Sequence, residues 1–429
     1  MTSPVAIHSA NAYGGASPFK QGPTLKDDAK TWKRLELNHR RNIEQDHTEK
    51  MDAASAAFDF ASCRGEMWNP ERYSLLWGTP VWEQASAAQR IALNHLYWIA
   101  YYSQIISAEI ATIFYNQTSA AGLYAEEDLR LVCDTLDLES TQERAHINAF
   151  RRVSDAVEME LFGERVFSYA MRGPYDETMV HADAGAARRF WKKLQLKTWG
   201  LLSSGSSFIA CQYFTIRGIR TLNGKLVQHQ LSRYWANHRD KEQAPIPSAI
   251  SYYHFQDESY HFNTSMMVAQ DVVKSLRAPT RFEKAVVNAA VDGCQKDHYN
   301  FSTAIAGIFW YDPSLYRPIY RVLTSPVFGM DRGQALDLME RSFCRESDGM
   351  RESATVHATA RQSYVKFLEG MDFITPANRE MKRMGENGLD RHLVANQRAF
   401  QRFKKEAHRV TPFDLVSRSR GDRSVGDVA

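Results

Sequence analysis

The chain has 429 residues, 44% of them apolar and 24% charged. That is ordinary globular usage, which argues against global disorder and gives enough chain for a sizeable core. The net charge of +3 argues against a dedicated polyanion binder, so no nucleic-acid partner is expected. Five scattered cysteines, Cys63, Cys133, Cys211, Cys294 and Cys344, form no CxxC pair, which fits reduced thiols in a cytoplasmic setting.

Residues 1–24, rich in Gly, Ser, Pro and Ala, read as a flexible arm, with no basic region leading into an apolar run. Residues 25–410 read as a single helical domain, and 411–429 as a flexible, charged tail. The first long helix is predicted over "SAAQRIALNHLYWIAYYSQIISAEIATIFYNQ", with Ser86 as its N-cap. A second, from "AEEDLRLVCDTL" to "EMELFG", repeats apolar residues at three and four and stops at Gly163. "AGAARRFWKKLQLKTWGLLSSGSSFIACQYFTIRGIR" predicts a third. Within it the uncharged run Thr198–Ile216 nears membrane-span length, but its serines, threonines and glutamine favour a buried helix of a bundle, and no membrane partner is expected. A fourth starts at Pro247 and ends before Pro279, and a fifth covers Thr280–Trp310. Strand patterns are scarce, the Asn223-Gly224 pair being one weak turn signal. The fold class is therefore all-α, a helical bundle with additional N- and C-terminal helices.

The fourth helix carries the strongest chemical signal, "SYYHFQDESYHFN", with His254, Glu258 and His261 at i, i+4 and i+7. At about 100° per residue the three share a stripe roughly 60° wide. A lone helical histidine is usually a packing residue, so the stripe needs a partner face. The second helix supplies one in "QERAHIN", where Glu143 and His146 form a second Glu-x-x-His. The first supplies Glu109, inside the apolar run "SQIISAEIATIFY", where an unpaired carboxylate is costly. Paired Glu-x-x-His motifs with single glutamates on other helices are the ligand plan of ferritin-like di-iron and di-manganese carboxylate proteins. Carboxylates bridge two cations, and imidazoles suit iron. No Walker loop, GxGxxG or His-Glu-x-x-His appears.

Glu, then Glu-x-x-His, then His-x-x-x-Glu-x-x-His resembles the p-aminobenzoate N-oxygenase family of non-haem di-iron oxygenases, over about residues 60–310. The additional His254, one turn before the last Glu-x-x-His, is the discriminating mark. The resemblance implies a ferritin-like di-iron enzyme that activates O2, with two Fe per chain or Mn in their place. One iron would be held by Glu109, Glu143 and His146, the other by His254, Glu258 and His261, with Glu143 and Glu258 as bridges. It further implies oxidation of a small-molecule substrate, such as N-oxygenation of an amine in natural-product biosynthesis; a homodimer is expected. Hydroxylation, desaturation or oxidative cleavage, or metal binding without turnover, are the alternatives. Electrons must come from a separate electron donor, since no reductase motif is present. The family pattern has a further glutamate on the third helix, and this sequence has none there. Ser203, Ser206, Ser207 or Gln212 are the candidates for that place.

Several other residues carry weaker expectations. Glu139 is read as an exposed glutamate in preference to a seventh ligand, and Glu158, Glu160 and Glu164 as the exposed end of the second helix. Asp257 and Asp297 are candidates to orient a ligating histidine. His95 and His298 are read as packing or supporting histidines. Tyr252, Tyr253, Phe255, Tyr260 and Phe262 either line an apolar pocket or pack the bundle.

Overall fold

The computed structural model describes residues 24–167, 186–298, 313–411 and 413. The expected arm and nearly all of the tail lie outside these residues, as do residues 299–310 of the fifth predicted helix and the side chains of Asp297 and His298.

All regular structure among the described residues is helical. The main helices are α1 (Ala29–Glu44), α2 (Thr48–Ala56), α3 (Ala87–Leu123), α4 (Arg130–Phe162), α5 (Ala186–Ser204) and α6 (Ser207–Ala236). They continue with α7 (Ile246–Gln270), α8 (Arg281–His298), α9 (Tyr316–Leu323), α10 (Arg332–Cys344), α11 (Asp348–Leu368) and α12 (Leu389–Glu406).

The centre is a four-helix arrangement. α3 pairs with α4 and α6 pairs with α7, and the two hairpins pack so that α3 meets α6 and α4 meets α7. α3 is the axis of the molecule: residues 92–107 are buried on every face, as its nearly uninterrupted apolar run requires. It starts in a capping box, in which Ser86 Oγ accepts from the Gln89 amide and the Gln89 side chain accepts from the Ser86 amide. α4 ends at Gly163, whose left-handed φ of 74° is the conformation glycine adopts without steric cost. α7 begins after Pro245, with Pro247 in its first turn.

α1 and α2 lie across the groove between α4 and α7, closing the bundle on that side. α8 and α11 pack on the outer face of α6, and α10 pairs with α12. All five cysteines are buried and none forms a disulfide.

Two expectations fail here. The third predicted helix is two, α5 and α6, because Ser206 takes an extended backbone and caps the new helix by accepting from the Ile209 amide. The run Thr198–Ile216 is thus not one buried helix: Leu201 is 75% exposed, and only the α6 half is core. The Asn223-Gly224 pair lies inside α6, not in a turn. No helix of the described residues is long and apolar enough to cross a membrane.

Candidate metal centre

Glu109 on α3, Glu143 and His146 on α4, and His254, Glu258 and His261 on α7 point into one space at the middle of the bundle. None is more than 7% exposed. His254 Nε2 is 3.2 Å from Glu109 Oε1 and 3.6 Å from Glu258 Oε1. His146 Nδ1 lies 3.4 Å from Glu143, 3.8 Å from Glu109 and 3.9 Å from Glu258. His261 Nδ1 lies 3.0 Å from Glu258 and 3.4 Å from Glu143.

These atoms form two groups that could each hold a metal ion: Glu109, His146, His254 and Glu258, and Glu143, Glu258 and His261. The grouping cuts across the partition expected from the sequence, and helix geometry explains it. Seven residues of α7 rise about 10 Å, so His254 and His261 meet opposite ends of the space. Glu258, between them, belongs to both groups.

The electrostatics of this space call for cations. Burial, together with the neighbouring Glu143 and Glu258 carboxylates, pushes Glu109 well above the usual carboxylate range. Glu258 is driven the other way: burial opposes its ionisation, but His261 and His254 overcome it. Burial also opposes charge on His146, yet Asp257 and Glu143 hold it protonated up to about 9. Without metal, Glu109 keeps a proton of its own, and the Glu143 and Glu258 carboxylates are balanced by protons on His146 and His261. Glu109 Oε2, Glu143 Oε2 and His146 Nδ1 are buried and have no hydrogen-bond partner. Buried polar atoms are rarely left so, and an oxygen–imidazole donor set of this kind suits iron or manganese. The residues fit a metal centre.

Their outer nitrogens are engaged unequally. His146 Nε2 faces Asp257 Oδ2 at 3.2 Å, and Asp257 Oδ1 accepts from both the ring and the backbone amide of His47 at 3.0 Å. His261 Nε2 faces Gln142 Oε1 at 2.9 Å, and Gln142 in turn donates to the buried Asn42.

A small cavity of about 40 Å³ adjoins the donor set. α6 supplies its far wall with Arg217, Thr221, Gly224 and Gln228, none of them a carboxylate. Ser203, Ser206, Ser207 and Gln212 do not line it. Ser203 bonds back to Gly200, Ser206 caps α6 and reaches Glu283, Ser207 bonds Gly122, and Gln212 accepts from Thr215. Arg217 occupies the wall instead. It donates to Glu139 at 2.6 Å, to Ser265 Oγ at 2.7 Å and to the His261 carbonyl at 3.0 Å. Glu139 is therefore neither an exposed glutamate nor part of either donor group: it is fully buried and neutralises Arg217.

Other expectations resolve as follows. Glu158 is buried, accepting from the amides of Val166 and Phe167. Glu160 is exposed and Glu164 pairs with Arg321 at 2.5 Å. His95 stacks on Trp68 at 3.9 Å, and burial lowers its pKa to about 4, as suits a neutral packing histidine. Of the five aromatics on α7, Phe262 lines the cavity. Tyr252 and Tyr253 pack with Trp235, Phe255 with His229, and Tyr260 bonds Gln45.

Sequence reasoning missed Arg217 and His47. A lone arginine in "FIACQYFTIRGI" is a signal of the same kind as Glu109 in its apolar run, since a buried charge requires a partner. His47 has no local signal; only the packing of α2 against α7 reveals its role.

A family model described as "Acyl halogenase CylC-like" matches residues 30–404. No curated protein and no solved structure matches the chain.

Proposed function

The chain belongs to the CylC-like acyl halogenase family, and we propose that it is an iron-dependent enzyme of natural-product biosynthesis that uses O2 to halogenate carbon of an acyl substrate. The observation that carries this reading is the lopsided pocket: six buried donors from three helices face a fourth helix that offers no carboxylate.

Glu109, Glu143, His146, His254, Glu258 and His261 would hold two iron ions, with Glu258 shared. Metal bound there supplies activation of O2 and oxidation of a carbon centre. Two divalent ions bring four positive charges against three carboxylates, and the excess favours an added anion such as halide. The chain's own contributions are positional. Asp257 fixes the ring of His146 through its outer nitrogen, and Gln142 does so for His261. Arg217, tied to the His261 carbonyl, holds α6 against α7 beside the donors. Ile105, Ala108 and Phe262 give the cavity an apolar lining that suits an aliphatic chain and excludes water.

A second reading, N-oxygenation of an amine, is favoured by one feature: His254 stands a turn before Glu258, within reach of both Glu109 and Glu258. Anaerobic iron loading, followed by O2 uptake with an acyl thioester and chloride and mass analysis of the products, separates the readings. We expect two irons per chain and a chlorinated acyl product. Hydroxylated or N-oxidised products without chlorine dependence would reject halogenation. Bound iron with no organic product would leave a metal-binding protein without turnover.

A further inference from the structure

We propose that the hydrogen-bonded series His146–Asp257–His47, continued by the rings of Tyr253 and Trp235, is the path by which an external one-electron donor reduces the buried metal centre. The proposal rests on the metal reading above. His146 and His254 are 0% exposed, so electrons from a donor docked on the outer surface cross protein to reach them.

The series has no broken link. His146 presents Nδ1 to the carboxylates while Nε2 lies 3.2 Å from Asp257 Oδ2. Asp257 Oδ1 lies 3.0 Å from His47 Nδ1. The His47 ring stacks on Tyr253, centroids 5.7 Å apart and planes 20° apart, and Tyr253 lies 5.8 Å from Trp235. His47, Tyr253 and Trp235 are all partly exposed. Tunnelling falls off less steeply through bonds and hydrogen bonds than through gaps, so a continuous series of this length conducts best.

The other outward contacts of the donor histidines do not reach the surface. His261 leads through Gln142 to Asn42, which is 0% exposed. His254 Nδ1 has no hydrogen-bond partner. The surface end of the His47 series is also furnished for a flat, anionic donor. Lys50 Nζ stands 5.9 Å over Tyr253 and Lys241 Nζ 4.6 Å over Trp235, so each of the two outer rings has a cation over it. Reduced flavin mononucleotide has that chemistry. As its anionic hydroquinone it would give up two electrons in single steps, one to each oxidised iron, and release its N5 proton to solvent. No bond in His47, Asp257 or His146 forms or breaks.

The test is anaerobic stopped-flow reduction of the oxidised, iron-loaded protein by reduced flavin mononucleotide, following flavin oxidation and counting ferrous iron after quenching. His47→Ala and Tyr253→Leu should each slow reduction about tenfold or more, with iron content unchanged. Tyr124→Phe, an exposed residue at the C-terminal end of α3 and outside the series, should keep the wild-type rate. Wild-type rates in both His47→Ala and Tyr253→Leu overturn the proposal. If His47→Ala loses iron, Tyr253→Leu decides, because it leaves every hydrogen bond of the series in place. A wild-type chain that binds no iron overturns the metal reading and this proposal together; bound iron with unaltered reduction overturns this proposal alone.

Discussion

α6 and α7 face the same cavity and are built on opposite principles. α7 presents His254, Glu258 and His261 to it, all able to ligate a cation, and is held by partners behind it, Asp257 and Gln142 among them. α6 presents Arg217, Thr221, Gly224 and Gln228, so its charged group is itself a cation, already neutralised by Glu139. One wall demands positive charge and the other brings its own. The difference puts every candidate metal ligand on α3, α4 and α7 and leaves the α6 side of the cavity without one.

The largest effect should come from the residue both donor groups share. Glu258→Ala should abolish bound iron, measured as metal per chain after loading and desalting; retention of the wild-type content would remove Glu258 from the centre.

On the α6 wall the failure should be of folding. Arg217→Met strands the fully buried Glu139 without its cation, a loss of about 3–5 kcal/mol in denaturant unfolding. The double variant Arg217→Met/Glu139→Leu should recover most of it. Equal destabilisation in the double variant would mean that Arg217 acts through Ser265 and the His261 carbonyl.

The contrast can also be blurred on purpose. Gln228→Glu gives α6 a carboxylate at the cavity, and should raise retention of iron against a chelator by up to about tenfold, roughly 1.4 kcal/mol. The same change should weaken any dependence of turnover on added halide. Unchanged retention would place Gln228 too far from the metals to serve.

The smallest effect is of pH. The folded, metal-free His146 is raised from 6.5 to about 9. Its stabilising contribution is therefore complete below 6.5 and lost as pH climbs through 9. Metal must displace that proton, so apparent iron affinity should increase over the same window while the metal-free protein becomes less stable. Calorimetric titration in buffers of different ionisation heat would show the proton released; no proton release at pH 7 would contradict it.

Much of this contrast was legible in the sequence. Each of the six side chains that meet at the centre was marked by spacing within its own helix or by charge in an apolar run, and Ser86 and Gly163 announced helix ends through local capping chemistry. What escaped depends on which helices meet. Glu139 looked exposed because its partner Arg217 lies 78 positions away on another helix. The third helix looked continuous because serines and a glycine at 203–207 do not by themselves break an apolar pattern. The way donors divide into groups also escaped, because it depends on the axial stagger of α3 and α4 against α7.

The central claim is that two metal ions sit between α3, α4 and α7, sharing Glu258. Anomalous diffraction at the iron edge from crystals of the loaded protein tests it most directly. Two peaks, one among Glu109, His146 and His254 and one between Glu143 and His261, with Glu258 reaching both, are expected. A single peak, or peaks away from these side chains, would contradict the account.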